Sequence, residues 1–454
     1  MVESVLTRAA EFLRRTNYEH VDPAAISLSK RAIIDYAGCA LAGSQTAVAQ
    51  NVFRWSSAHN TSATATVLGQ KARLNAEHAA LCNAVAGHAL DFDDTSWTTI
   101  GHPTSVAASV ALAFGELVGA TGRDVLTAYA AGIEVGHKMA RLTMPATSER
   151  GWHTTPVYGT VIAAATAAWL LKPDEDAVIS GLGISLSRSG GVRSNFGTMT
   201  KPLHAGLAVL AGTESVSMAQ EGITASPLAF EAADGFAQCF AGCAADGDVL
   251  LGRPWDLAET GLAFKLYPCC SGSHPAVDVM MELVRDGSLT AGMIHRIEVG
   301  TSLLGPRELV NHRPQTPLEA RFSMEFAVAA VLIAGRLTLD EFTEDFVARR
   351  DVQELMDRIA MDIDPDLAKL GFIGTAPVKI RIHLQNGRVI DRSNDLARGN
   401  PEKPLTDNDF AAKFSGNACR AIPEARADRL LELLFDLENV KDVSDIMALT
   451  RTNR

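Results

Sequence analysis

Three observations in the sequence predict a mainly α protein of two domains. The chain has 454 residues, more than one hydrophobic core usually serves. Its composition, 47% apolar and 21% charged with only 6% aromatic residues, favours Ala-rich helix packing over a β-sandwich. Helical periodicity dominates up to about Leu262, where strand-like alternation begins.

Taken in order, apolar spacing predicts helices at about 23–43, 72–88, 103–119, 123–142, 156–171, 174–189 and 202–221. Asp22-Pro23 supplies a cap followed by Pro at the first helical position, and Pro173-Asp174-Glu175 places acids at the positive end of the next dipole. Gly119 and Gly222 stand where helices should stop. Beyond Leu262, Ile297 to Thr301 and Val378 to Leu384 alternate as strands, and Asn386-Gly387 after the second marks a hairpin. Helical patterns at about 317–335, 339–349 and 351–362 make this part mixed α and β. After Pro404 the chain turns helical again, at about 406–418, 424–436 and 441–449, and could rejoin the first domain.

A net charge of −12 and a pI near 5.5, without clustered Lys and Arg, exclude a nucleic-acid partner. Met1 to Asp22 carries charges throughout and offers no apolar core of a secretory signal, so a cytoplasmic location is expected. The longest uncharged stretches, Pro103 to Phe114 and Thr154 to Leu171, fall short of the roughly 20 strongly apolar residues of a membrane span and read as buried helices. Seven cysteines, an odd number without a CxxC pair, fit a reducing compartment and argue against an iron–sulfur cluster. Cys239 and Cys243, one helical turn apart, are expected to pack as small hydrophobes.

Four segments carry chemistry. His88-Ala-Leu-Asp91-Phe-Asp93-Asp94-Thr95, followed by His102-Pro103, gathers three like charges within four residues beside imidazoles. Burying such carboxylates raises their pKa, which is how a base near neutrality is made. Gly151-Trp-His153 sets a histidine just outside a helix start. From Ser187 to Gly206 a Gly-rich loop runs into a helix start preceded by Lys201, with His204 just inside it, an arrangement able to cradle an anion. It lacks Walker A spacing, and Gly181-Leu-Gly183 follows a helix rather than a strand, so no dinucleotide fingerprint is present. Lastly, Lys265 and His274 flank a compact turn, Tyr267-Pro268-Cys269-Cys270-Ser-Gly, at the expected domain junction. A nucleophilic cysteine there would have His274 as a base, but a thiol in a tight turn is more commonly structural.

Together these segments resemble the MmgE/PrpD family, which groups 2-methylcitrate dehydratase-like enzymes, cis-aconitate decarboxylase and iminodisuccinate epimerase. The resemblance rests on Asp91-Phe-Asp93-Asp94-Thr95 with His102-Pro103, on Gly151-Trp-His153, on Thr200-Lys201-Pro-Leu-His204-Ala-Gly206, and on Lys265-Leu-Tyr267-Pro with His274-Pro275. A weaker likeness covers Asn311-His-Arg313-Pro314 and Glu319-Ala-Arg-Phe322-Ser323.

The resemblance implies a large all-helical domain formed by both chain ends, residues 1–262 and 397–454, with a smaller α/β lid inserted at 263–396. It also implies a homodimer and no metal or organic cofactor. Carried over as catalytic are Asp91, His102, His153, Lys201 and Lys265; Thr95, His204, Tyr267, Cys270 and His274 are expected to contact substrate. Where decarboxylase members place a His this chain has Cys270, and where they place a Tyr it has Leu309.

The implied activity is a lyase that abstracts a proton next to a carboxylate of a small di- or tricarboxylate, with a dehydratase preferred. An epimerase of an iminodisuccinate-like acid, or a decarboxylase of a cis-aconitate-like one, begins at the same carbanion-like state. Of a different class is a non-catalytic, metabolite-binding helical dimer. Several imidazoles alongside two lysines and a carboxylate favour the enzyme.

Overall fold

The computed structural model describes residues 3–245, 247, 249–371 and 375–452. Helices account for 57% of the protein and strands for 8%, which settles the class as mainly α with small sheets. The chain divides into two compact units.

The first unit comprises Met1–Ser194, Pro202–Ala263 and Thr406–Arg454. Its principal helices are α1 (Val5–Arg15), α2 (Pro23–Gly43), α3 (Ala47–Ala58), α4 (Ala76–His88), α5 (Pro103–Val118), α6 (Gly122–Arg141), α7 (Thr154–Leu171), α8 (Glu175–Ser187) and, from Pro202 onward, α9 (Thr200–Gln220). Helices α4, α5 and α7 are apolar on nearly every side and sit inside the bundle, α7 against both α5 and the amphipathic α6. By length and composition α7 could cross a membrane, but here it is buried within the unit. Small residues let these helices approach closely. A Cβ at Gly87 on α4 would stand 2.5 Å from the Tyr36 ring of α2, so only glycine fits one residue ahead of His88.

The second unit comprises Asn195–Lys201 and Phe264–Leu405. It holds α10 (His274–Arg285), β1 (Ile294–Thr301), α11 (Met324–Ala334), α12 (Arg350–Met356), β2 (Ile359–Ile363), β3 (Val378–Leu384) and β4 (Val389–Asn394). The sheet runs β2-β1-β3-β4. β1 pairs parallel with β2 through Val299↔Met361 and antiparallel with β3 through Val299↔Ile380, and β3 forms the hairpin with β4 around Gly387. One sheet face buries Ile297, Val299, Ile380 and Ile382 with the apolar sides of α10 and α11; the other carries charge, as period-two alternation requires.

The chain then returns to the first unit as α13 (Asp407–Ala418), α14 (Glu424–Phe435) and α15 (Ser444–Leu449). α13 packs on α2, where Lys413 pairs with Asp35 at 2.6 Å; both side chains are buried. Lys413 also donates to the Phe92 carbonyl at 2.7 Å and lies 4.0 Å from that ring's centre, clamping the segment that follows α4.

Several expectations need correction. The helix expected at 351–362 ends at Met356, and Ile359–Ile363 is a strand, because its alternating apolar residues pair along β1. The helix expected at 317–335 breaks into Pro317–Ala320 and Met324–Ala334, since the Ser323 side chain accepts the Phe326 N–H and caps a fresh start at Met324. Thr338 and Thr343 likewise split 339–349 into two short turns. α1 and α3 were not anticipated. Cys239 and Cys243 are exposed rather than packed: the short helix Phe236–Ala241 buries Phe236, Ala237 and Ala241 and stops at Gly242.

Candidate active site

Within the first unit the segment between α4 and α5 is buried yet irregular, so its polar groups must be satisfied by side chains and neighbouring backbone. Two of its residues stand in the left-handed region, Asp91 at φ 51° and Ile100 at φ 49°. Asp tolerates that conformation; for a β-branched Ile it is strained. The surroundings hold the strain. Thr95 and Ala263 exchange backbone hydrogen bonds at 2.8 Å, Thr154 donates to the Ile100 carbonyl at 2.6 Å, and the His102 N–H donates to the Thr155 hydroxyl at 3.0 Å. Pro103, at the first position of α5, then commits the chain to helix with His102 at the cap.

This brings four imidazoles and three carboxylates together. His88, the last residue of α4, directs Nδ1 at both oxygens of Asp93, at 2.9 and 3.1 Å. Asp93 also accepts from the Ser105 hydroxyl at 2.6 Å. His102 lies between two carboxylates, Nδ1 at 3.5 Å from Asp93 and Nε2 at 3.8 Å from Asp91. The His88 ring is 4.4 Å from His102 and 6.1 Å from His153, centre to centre. At the end of the row His153 and His204 face each other through their Nδ1 atoms at 3.0 Å. One of those nitrogens must donate and the other accept, so the pair shares a proton. Gly191, at φ 115°, passes its carbonyl to the His153 N–H at 3.0 Å; a Cβ there would strike Pro156 at 2.6 Å.

Asp94 differs from its neighbours. It bonds the Thr104 hydroxyl, which touches the Tyr129 phenol at 2.6 Å. Burial pushes the Asp94 carboxyl well above its ordinary range, against the lowering effect of Thr104, and burial also raises Tyr129.

His88, Asp91, Asp93 and His102 each offer a donor atom within 4.8 Å of the others, a set able to hold a divalent metal ion. The sequence reading expects none. Within the set His88 and Asp93 are joined by a hydrogen bond, and His102 approaches Asp93 and Asp91 at 3.5 and 3.8 Å.

Of the ten anticipated site residues, the structure places Asp91, Thr95, His102, His153 and His204 in the first unit and gathers their surroundings as described. Lys201, Lys265, Tyr267, Cys270 and His274 belong to the second unit. There Lys201 is in the first turn of α9 rather than ahead of it, its ammonium 5.6 and 5.1 Å from the ring centres of Phe196 and Phe322. Lys265 is buried. Tyr267 donates to Asp278 at 2.7 Å and meets the His274 ring edge-on. His274 Nε2 faces the Cys269 carbonyl at 3.1 Å, and Cys270 Sγ stands 3.5 Å from Glu308. His88, Asp93 and Ser105 had been given no role. Their signal was the His-to-Asp spacing across a helix end, which fixes a pairing only once Asp91 turns the backbone.

The chain is similar to known proteins along most of its length. The chain is 28% identical to human cis-aconitate decarboxylase over 464 residues, covering 99% of this chain and 95% of that protein. It is 28% identical to the mouse enzyme, covering 99% and 94%. It is 24% identical to a cis-aconitate decarboxylase-like protein of Aspergillus oryzae, covering 93% and 92%. Residues 7–245 match the MmgE/PrpD N-terminal domain and residues 267–438 the MmgE/PrpD C-terminal domain. With both domains matched in order along most of its length, the chain belongs to the MmgE/PrpD family.

Proposed function

We propose that this protein is a cofactor-independent lyase that abstracts a proton α to a carboxylate of a small di- or tricarboxylate, with dehydration the preferred outcome. The observation that carries the reading is the row of imidazoles, the half-buried His102 and the buried His153 among them, beside Asp91 and Asp93 on a strained segment of a MmgE/PrpD chain.

In this reading an imidazole takes the α-proton. The C–H bond breaks, an N–H bond forms, and the electron pair remains on the substrate as an enolate-like carbanion. Loss of the β-hydroxyl, protonated by a second acid/base group, then gives the unsaturated acid and water. Lys201 and Lys265 supply fixed positive charge to the carboxylates, the kind of preorganised electrostatics that is commonly the largest catalytic contribution. Thr95, His204, Tyr267, Cys270 and His274 are assigned to substrate contacts. In this reading residues 263–396 are the α/β lid domain, residues 1–262 and 397–454 make the helical domain, and the working form is a homodimer.

Decarboxylation of a cis-aconitate-like acid is the second reading, favoured by the near full-length similarity to decarboxylases. Against it stand Cys270 and Leu309, in place of the His and Tyr of those members. The two flank one spot in the second unit: a Cβ at Gly272 would lie 3.4 Å from Leu309 and 3.7 Å from Cys270 Sγ. An apolar pair there removes two polar groups at once.

Turnover of methylcitrate, citrate, cis-aconitate, tartrate and iminodisuccinate in deuterated buffer separates the outcomes. An ultraviolet-absorbing unsaturated acid formed from a hydroxy acid supports dehydration. Carbon dioxide from cis-aconitate supports decarboxylation, and α-deuteration with inversion supports epimerisation. Thermal stabilisation by these acids without turnover would replace the enzyme by a metabolite binder.

A further inference from the structure

We propose that His88 and Asp93 form a buried positioning pair for His102: Asp93 holds the His88 ring through Nδ1 and fixes the orientation and proton position of His102 from beneath. The inference rests on the proposed proton abstraction, to which it adds two residues that act through His102.

Geometry comes first. Asp93 is 1% exposed, and an ionised carboxylate only accepts hydrogen bonds. Its partners must therefore donate: His88 from Nδ1 at 2.9 Å and Ser105 from its hydroxyl at 2.6 Å. That fixes His88 as the tautomer carrying a proton on Nδ1. The His102 ring, 4.4 Å from His88, presents its own Nδ1 to Asp93 at 3.5 Å. A proton on this nitrogen faces negative charge, so Nε2, on the Asp91 side at 3.8 Å, is left as the base.

When Nε2 receives the substrate proton the ring becomes an imidazolium between two carboxylates. Asp93 stabilises that charge without itself taking the proton, the role a buried Asp plays behind a catalytic imidazole. Ser105 sits three residues after His102 on the same helix start, so the donor that orients Asp93 and the ring that Asp93 orients move together.

A purely structural His–Asp pair would need only one imidazole. Here one carboxylate faces two, and the second ring is a residue the family reading places in catalysis. The charged and titratable groups facing this set come from several elements: Asp91 and Asp94 on the same segment, His153 at the start of α7, and Tyr36 and Cys39 on α2, both of which feel the Asp93 charge. Lys413 on α13 lies behind Phe92.

The experiment compares wild type with Asp93→Asn, His88→Asn and Ser105→Ala. Asp93→Asn keeps shape and removes charge; it should lower kcat on the order of 100-fold or more with KM within about threefold. It should also lower the His102 titration midpoint by about one pH unit, followed by NMR after histidine-selective 15N labelling. His88→Asn retains a donor at the Nδ1 position and should recover much of the activity that His88→Leu loses. Ser105→Ala, a milder change, should shift the same midpoint by less and keeps the question answerable if Asp93→Asn does not fold. Wild-type kcat and an unmoved His102 titration in folded Asp93→Asn would overturn the proposal. The titration requires no substrate: if it shifts while wild type turns over none of the acids, the proposed function fails and the positioning pair stands.

Discussion

The helical unit contains two buried acidic clusters made from the same residue types, and they are built to opposite ends. Around Asp256 every donor converges: His137 Nδ1 at 2.7 Å, Arg141 Nε at 2.6 Å and the Thr98 hydroxyl at 2.9 Å. Burial works to raise that carboxyl, but His137 and Arg141 outweigh it and hold it well below the ordinary range. At Asp94 burial wins and the carboxyl is held up. Asp256 lies in ordinary helical backbone, whereas the 89–101 segment carries two left-handed residues. A carboxylate with donors on both oxygens suits a cluster that holds the fold together; strain with incomplete compensation suits the one proposed for chemistry.

Thr98 joins the two, because it belongs to the strained segment and donates into the Asp256 cluster. The Asp256 cluster thereby anchors the strained segment. Substitutions should separate their roles, the largest effect falling on turnover: His102→Gln should cost on the order of 100- to 10,000-fold in kcat, with the melting temperature nearly unchanged. If instead it unfolds the protein and leaves specific activity intact, the contrast between the clusters collapses.

Next comes the clamp from the C-terminal helices. Lys413→Met strands the buried Asp35 carboxylate and should destabilise by about 3–5 kcal/mol in urea unfolding. Asp256→Asn should cost about 2–3 kcal/mol at neutral pH by removing a charged acceptor from three donors. Because the Asp256 pKa is lowered on folding, its contribution is present above the unfolded value near pH 4 and is lost on acidification. The difference between Asp256→Asn and wild type should therefore shrink as pH falls below about 4.

Asp94 has the reverse sign. Its raised carboxyl favours folding below the unfolded value and loses that advantage as pH rises. Asp94→Asn should gain stability relative to wild type by up to about 1.4 kcal/mol per pH unit above pH 4, until the folded-state pKa is passed. A flat difference across this range would show that the two clusters are electrostatically alike. The smallest effect concerns metal: exhaustive dialysis against EDTA should change turnover by less than about twofold, and a large loss restored by a divalent ion would make His88, Asp91, Asp93 and His102 its ligands.

Helices with strong periodicity and clear caps were legible from the residues alone. Pro23–Gly43 begins and ends where Asp22-Pro23 and the apolar pattern place it, and Gly119 closes Pro103–Val118 in the left-handed region. Less legible were segments whose state depends on a neighbour. Ile359–Ile363 could continue a helix until β1 offers it a parallel edge, and Ala47–Ala58 buries only Val48, Ala49, Val52 and Ser56, a short stripe of small side chains. At the site, Asp91 and His102 are conspicuous as charges in an apolar stretch. That Asp93 rather than Asp91 receives His88 follows only from the turn at Asp91.

The order of residues by itself determined the helical class, the hairpin at Gly387 and the segments where chemistry is concentrated, because spacing, caps and turn residues act over a few positions. Tertiary structure alone decided which carboxylate meets its donors and which is pushed above its ordinary range, and which imidazoles stand in contact. Desolvation and Coulomb energies depend on distances between residues far apart in the chain, and no local pattern encodes those.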